Sequence, residues 1–180
     1  MSPSPCATPH MHIFVSVGTT RFDAMLEVLQ DPQILANLKE LGYDTMTIQH
    51  GKGDPMEVPE GCPLSIQQIS MTSQFEREVS AADLVISHAG AGTILEVRDH
   101  SKKHIVVCNP SLMNNHQLEL VDALNKEHTA IGVASPEELR ELMSGLGNLA
   151  LRIQLMSRVR GEGSKVRSFG TILMHEAGLI

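Results

Sequence analysis

The sequence predicts an α/β fold: a doubly wound, mostly parallel six-stranded sheet. Two observations carry that expectation. Six strand-sized β-rich runs alternate with stretches at helical spacing, and glycine-bearing turns follow directly on the first and fourth of those runs. Such alternation places crossover helices on both faces of a parallel sheet. A chain of 180 residues suits one domain of this kind with a real core.

The elements follow in order. Ile13–Val17 is a β-rich run feeding the tight turn Gly18-Thr19-Thr20. Phe22, Met25, Leu26 and Leu29 recur at helical spacing; Asp31-Pro32 restarts the helix with Ile34, Leu35, Leu38 and Leu41, and Gly42 closes it. Thr45–Gln49 and Leu64–Ile69 read as strands two and three around a Gly/Pro-rich loop, His50–Pro63. A short helix over Phe75–Ala82 leads to strand four, Asp83–Ser87, then a Gly-rich turn and a helix over Thr93–His100. His104–Cys108 is strand five, Asn115–Lys126 a helix and Thr129–Val133 a weaker strand six. Ser135-Pro136-Glu137-Glu138 starts a helix, with Ser as N-cap, Pro at N1 and acids on the positive end of the dipole. Leu139, Leu142 and Met143 continue that face, and Leu149, Ile153, Met156 and Val159 form a last apolar stripe with arginines between them. The expected organisation is a flexible leader (1–11), a Rossmann-like domain (12–148) and a C-terminal helix with a basic tail (149–180).

Composition narrows the function classes. Hydrophobic residues at 42% and charged residues at 19% argue against wholesale disorder. A net charge of −7 argues against a whole-protein grip on nucleic acid. The charge is uneven: Arg152, Arg158, Arg160, Lys165 and Arg167 face only Glu162 and Glu176 in the last thirty residues. This basic tail marks either a partner or membrane contact or a solvated helix end. Cys6, Cys62 and Cys108 are too scattered for a disulfide framework or a zinc cluster and fit a reducing compartment. Apolar runs are strand-sized, short of the ~20 residues of a spanning helix. The leader has three prolines, no Lys or Arg and no apolar stretch, unlike a signal peptide.

Ligands of doubly wound sheets bind outside the carboxyl ends of the strands, where strand order reverses. The loops after strands one, four and five therefore matter. In Ser87–Glu96, Gly90 and Gly92 allow close backbone approach, and the following helix offers N–H groups and a positive dipole end to a phosphate. His88 stands at the strand tip as a donor toward phosphate oxygen, and Glu96 one turn into the helix is placed for a ribose diol. A simple tight βα turn is the plain alternative. A dinucleotide site fits poorly: Leu95 replaces the third glycine, the motif follows strand four, and Cys108-Asn109, with no acid, ends the next strand. A P-loop is absent.

His88-x-Gly90-x-x-Thr93-x-x-Glu96 resembles the donor-nucleotide signature of GT-B glycosyltransferases. The blocks Phe14–Asp23, Asp83–Gly92 and Leu112–Leu120 are similar to the donor-binding catalytic subunits of the dolichol-pathway UDP-N-acetylglucosamine transferases. The resemblance implies a GT-B C-terminal-type domain, like that of the bacterial lipid II-forming transferase. It implies transfer of GlcNAc from UDP-GlcNAc to GlcNAc-diphosphate-dolichol, inverting to a β1,4 bond, in the second step of lipid-linked oligosaccharide assembly for N-glycosylation. It also implies a heterodimer, in which a membrane-anchored acceptor-binding subunit recruits this chain from the cytoplasm to the cytosolic face of the endoplasmic reticulum and is needed for activity. By the same resemblance Gly18, Thr19 and Thr20 line the diphosphate, Gly90, Ala91, Gly92 and Thr93 close over it, and Glu96 holds the ribose. Asn114, Asn115, His116 and Gln117 read the GlcNAc hydroxyls. His116 departs from the acidic residue of many GT-B enzymes but agrees with the dolichol-pathway subfamily.

The chemistry of the residues agrees. No Asp-x-Asp pair occurs, so a metal-free, dipole-stabilised diphosphate is expected, with no cofactor. An inverting transfer needs a base. The site loops offer only His88 or His116, both better used on the donor, so the base is expected on the partner chain. A non-catalytic nucleotide-sugar-binding or regulatory subunit is the alternative. His10 and His12 read as an incidental pair, His100 and His104 as flanks of a Lys102-Lys103 loop, and Cys108 as a core thiol. Met143 and Met156 are interface candidates, as is the Leu149–Arg160 helix.

Overall fold

The computed structural model describes residues 10–111 and 115–159. Its sheet is parallel throughout, in the order β3-β2-β1-β4-β5-β6. The strands are β1 (Met11–Ser16), β2 (Tyr43–Gln49), β3 (Ser65–Ile69), β4 (Leu84–His88), β5 (Lys103–Val107) and β6 (Ile131–Val133). The helices are α1 (Asp23–Leu29), α2 (Pro32–Glu40), α3 (Phe75–Ala81), α4 (Ala91–Asp99), α5 (Asn115–Lys126), α6 (Pro136–Ser144) and α7 (Leu146–Val159). Strand order reverses between β1 and β4, so the loops after these two strands flank the crevice where such sheets bind ligands.

Side-chain alternation along β1 explains the two layers. Ile13 and Val15 belong to the core under α1, α2, α6 and α7, whereas Phe14 faces α3, its ring edge-on to Phe75 at 5.5 Å and 66°. Ile94, Val106, Cys108 and Leu124 fill a further cluster between the sheet, α4 and α5. With both faces covered, the central strands are nearly continuous apolar runs. The helix-start chemistry holds: Asp31 accepts from the Gln33 N–H at 2.9 Å with Pro32 at the first turn, and Ser135 accepts from the Glu138 N–H at 3.3 Å. Gly42, at φ +94°, follows α2 in the left-handed region.

Several boundaries differ from expectation. β1 begins at Met11, paired with Tyr43, a residue the expected leader 1–11 included; residues 1–9 lie outside the described residues. His10 and His12 take different partners, Asp44 Oδ2 at 2.8 Å and Thr45 Oγ1 at 2.7 Å. α4 starts at Ala91 rather than Thr93, which makes Gly90 its N-cap and puts Gly92 in its first turn. β6 keeps only three residues, because the last turn of α5 captures the Thr129 N–H on the Leu124 carbonyl before the chain can enter the ladder.

The 148/149 boundary falls inside α7. Leu149, Ile153 and Met156, expected to face a partner, are buried in this chain's own core, as is Met143; among the described side chains of α7, Leu151 and Leu155 are the exposed large apolar ones. Val159 closes α7, and the basic tail from Arg160 onward lies outside the described residues. Asn37, buried on α2, donates to the carbonyls of Met143 (2.9 Å) and Ser144 (3.1 Å) at the end of α6, which ties these helices together. No described helix is long and apolar enough to cross a membrane.

Candidate functional site

The loops after β1 and β4 meet over one side chain. His88 ends β4, and its imidazole lies between Gly18 and Gly90: a Cβ on Gly18 would stand 2.5 Å from His88 Cε1, and one on Gly90 2.5 Å from Nε2. Only glycine permits that approach, and Gly18 also sits at φ +67°, a conformation that favours glycine. His88 is 9% exposed, and its Nδ1 is buried without a hydrogen bond of good geometry. Burial holds its pKa below the ordinary value, opposed by the nearby Ser16 carbonyl, so the ring is neutral at pH 7. The structure makes His88 a wedge between the two loops.

The first loop is braced from below. Ser16 Oγ accepts from the Gly18 N–H at 3.1 Å and faces Gln49 Oε1 at 3.4 Å, while Gln49 Nε2 donates to the Gly18 carbonyl at 3.2 Å. Thr20 Oγ1 donates to the Val17 carbonyl at 2.8 Å, so its proton shapes the turn; Thr19 is exposed. The Lys52 N–H meets the Thr20 carbonyl at 3.1 Å, and Gly51, at φ +63°, lets the loop after β2 seat against it. Arg21 pairs with Asp23 and Asp54, and its carbonyl accepts from Asn109 Nδ2 at 3.4 Å. The loops after β1, β2 and β5 are thus one hydrogen-bonded unit. Ser16, Gln49 and Asn109 were missed in the sequence; their one signal is a polar residue at the carboxyl end of an apolar strand.

The second loop opens α4. Its N-cap Gly90 supplies no capping side chain, leaving the first-turn N–H groups of Ala91, Gly92 and Thr93 without a side-chain acceptor. A Cβ at Gly92 would meet nothing within 4 Å. An anion at this helix end is stabilised by the N–H groups and the dipole together. Glu96 lies about 9 Å further along the axis. Its Oε1 stands 3.1 Å from His100 Nε2, and Glu76 Oε1 approaches the same nitrogen at 3.7 Å. Glu76, Glu96 and His100 each bring one carboxylate oxygen or ring nitrogen within 4.8 Å of the others.

The loop after β5 holds Gln117. Its Oε1 accepts from the Asn109 N–H at 3.0 Å and from the Cys108 thiol at 3.4 Å. Burial pushes the Cys108 thiol pKa up. Asn114 lies outside the described residues, as do the side chains of Asn115 and His116, whose backbone begins α5. Ser87 Oγ donates to the His88 carbonyl and meets His104 Nε2 at 2.8 Å, a buried pair that fixes the strand end.

A parallel 3-2-1-4-5-6 sheet with glycine-lined loops at its switch point defines a Rossmann-like domain. The chain belongs to the glycosyltransferase family 28 C-terminal domain family, whose model matches residues 12–166. It is 42% identical over 120 residues to the human UDP-N-acetylglucosamine transferase subunit ALG13, covering 64% of this chain and 10% of that protein. The subunit of the same name from Yarrowia lipolytica is 35% identical over 119 residues, covering 63% of this chain and 60% of that one. The chain therefore spans less than two thirds of either relative. The crystal structure of Acinetobacter baumannii MurG shares the fold, with a TM-score of 0.63 at 22% identity, over 96% of this chain and 51% of that one.

Proposed function

We propose that this chain is the donor-binding half of a UDP-GlcNAc-dependent N-acetylglucosaminyltransferase. The supporting observation is the pair of loops at the switch point, held one His88 ring apart beside the uncapped N-terminus of α4. In this reading the first-turn N–H groups of α4 and the Thr19 loop neutralise the diphosphate, Glu96 holds the ribose diol and the Asn114–Gln117 segment reads the sugar. Charge growing on the departing UDP is met by fixed dipoles already in place, and no metal is invoked. The acceptor is GlcNAc-diphosphate-dolichol, and the product bond is β1,4 with inversion. The relatives' description as subunits supports a heteromer, here with a membrane-anchored acceptor-binding chain at the cytosolic face of the endoplasmic reticulum.

One observation bears on catalysis. His88 is neutral but enclosed between two glycines, poorly placed to take a proton from an incoming hydroxyl. With His116 given to the sugar in this reading, the base is assigned to the partner chain. The same enclosure favours, as second reading, a nucleotide-sugar-binding subunit without catalysis of its own. A transfer assay with UDP-GlcNAc and a lipid-diphosphate-GlcNAc acceptor, with and without membranes supplying the partner, separates them. Transfer that requires this chain and is lost in Glu96→Ala supports the enzyme. Partner-dependent transfer indifferent to Glu96→Ala and Gly18→Ala rejects it.

A further inference from the structure

Glu96 and His100 stand one turn apart along α4 and its C-cap, so their side chains share a face. Glu76, in the first turn of α3, approaches the same face. The two helices are fixed side by side, since Val79 of α3 and Val97 of α4 belong to one buried cluster. His100 Nε2 lies 3.1 Å from Glu96 Oε1 and 3.7 Å from Glu76 Oε1. That nitrogen has at most one proton to share between two carboxylates. At bond lengths of about 2.1 Å, neighbouring ligand atoms on a tetrahedral ion stand about 3.4 Å apart. The two measured separations bracket that edge. The third, Glu76 to Glu96, lies within 4.8 Å and closes by a turn of the Glu76 side chain, which is 78% exposed. A cavity of about 410 Å³ lined by Glu76, Ser80 and His100 opens beside the cluster; Arg77, on the same wall, donates to Gln74 Oε1 at 3.0 Å.

We propose that Glu76, Glu96 and His100 form a binding site for a divalent cation of the zinc class, and that this ion and the nucleotide donor exclude one another at Glu96. One imidazole with two carboxylates suits Zn2+ better than Mg2+ or Ca2+, which take oxygen ligands. The ion takes the place of the Nε2 proton, and water from the cavity completes its shell. It has no part in transfer. By holding Glu96 Oε1 it withdraws the carboxylate from a ribose diol, so it acts as a brake, and by linkage the donor weakens the ion equally. The exclusion rests on the donor-site reading above; the cation site does not.

The test is binding of Zn2+ and of Mg2+ to the full chain, measured by competition with a chromophoric chelator. Glu76→Gln and His100→Asn are each expected to weaken Zn2+ about tenfold or more; Glu76 is exposed, so its variant folds even if the His100 variant does not. Unchanged Zn2+ affinity in Glu76→Gln overturns the site, because ligands elsewhere then hold the ion. Mg2+ bound as tightly as Zn2+ overturns the class of ion. UDP affinity is then measured with and without Zn2+ in the wild type and in Glu76→Gln. UDP chelates Zn2+ in solution alike in both, so the difference between them belongs to the protein. Zn2+ is expected to weaken UDP binding several-fold more in the wild type. Equal weakening in the two overturns the exclusion and leaves the cation site standing. A wild type that binds no UDP in the absence of Zn2+ overturns the donor reading and the exclusion with it, while the Zn2+ affinities still decide the site.

Discussion

Gly18 and His88 lie so close across the seam between β1 and β4 that one added methyl at position 18 would stand 2.5 Å from the imidazole. Gly18→Ala meets both that overlap and an unfavourable backbone at φ +67°. Together they cost about 2–4 kcal/mol of stability. Gly90→Ala meets the same ring at φ −94°, where alanine is at ease, and is expected to cost only the overlap, about 1–3 kcal/mol. Adding His88→Ala to Gly18→Ala recovers the overlap and leaves the backbone cost. Urea unfolding of the four proteins checks this; a double variant no more stable than Gly18→Ala contradicts the wedge.

His88 and His12 predict a pH dependence of one sign. Burial holds both below the ordinary 6.5, with Glu78 and Asp83 partly offsetting it at His12. Above pH 6.5 both states are neutral and stability is complete. As pH falls through 6.5 the unfolded chain takes up protons that the native state refuses, so stability drops until the depressed native values are reached. Unfolding free energy measured at pH 7.5 and 5.5 should fall, and His12→Asn should flatten the slope. An unchanged slope in that variant assigns the effect elsewhere.

The fold was legible because its signals are local and mutually consistent. Asp31-Pro32 and Ser135-Pro136 state helix starts outright, and the alternation of Phe14 against Ile13 and Val15 needs only two covered faces. The start of β6 was not legible, because a helix-end bond, from the Thr129 N–H to the Leu124 carbonyl of α5, holds the chain before it enters the ladder. The candidate site was legible as loops, since glycines announce close approach, but not as contacts. Nothing in the spacing of His88 says that its ring is enclosed, and nothing ties Ser16 or Gln49 to Gly18 before β1 and β2 are paired. The C-terminal stripe misled for the same reason: helical spacing shows an apolar face, not which surface covers it.

Asn37 tests the join between α2 and α6. Its amide satisfies two carbonyls at the end of α6 and accepts from Gln33 Nε2 at 3.0 Å. Asn37→Ala leaves those carbonyls without donors and is expected to cost about 1–3 kcal/mol. Asn37→Asp costs more at pH 7, because a carboxylate then faces two carbonyl oxygens, and regains part of the loss at acid pH. Chemical denaturation at both pH values gives the comparison. Equal stability of the two variants at pH 7 rejects the geometry.

α7 separates folding from docking. Leu149, Ile153 and Met156 are buried in the core, so removing the helix after Asn148 strips that core and cannot report on a partner. The informative substitutions are on the opposite face, where Leu151 and Leu155 are 55% and 48% exposed, one turn apart on either side of Arg152. Ile153→Asp buries a charge and is expected to unfold the domain. Leu151→Asp with Leu155→Asp changes stability by about 0.5 kcal/mol or less, because neither side chain belongs to the core. If a second chain docks on α7, the paired Asp variant loses co-purification with it and membrane recruitment while its melting temperature stays at the wild-type value. Retained recruitment in that folded variant moves the docking surface away from α7.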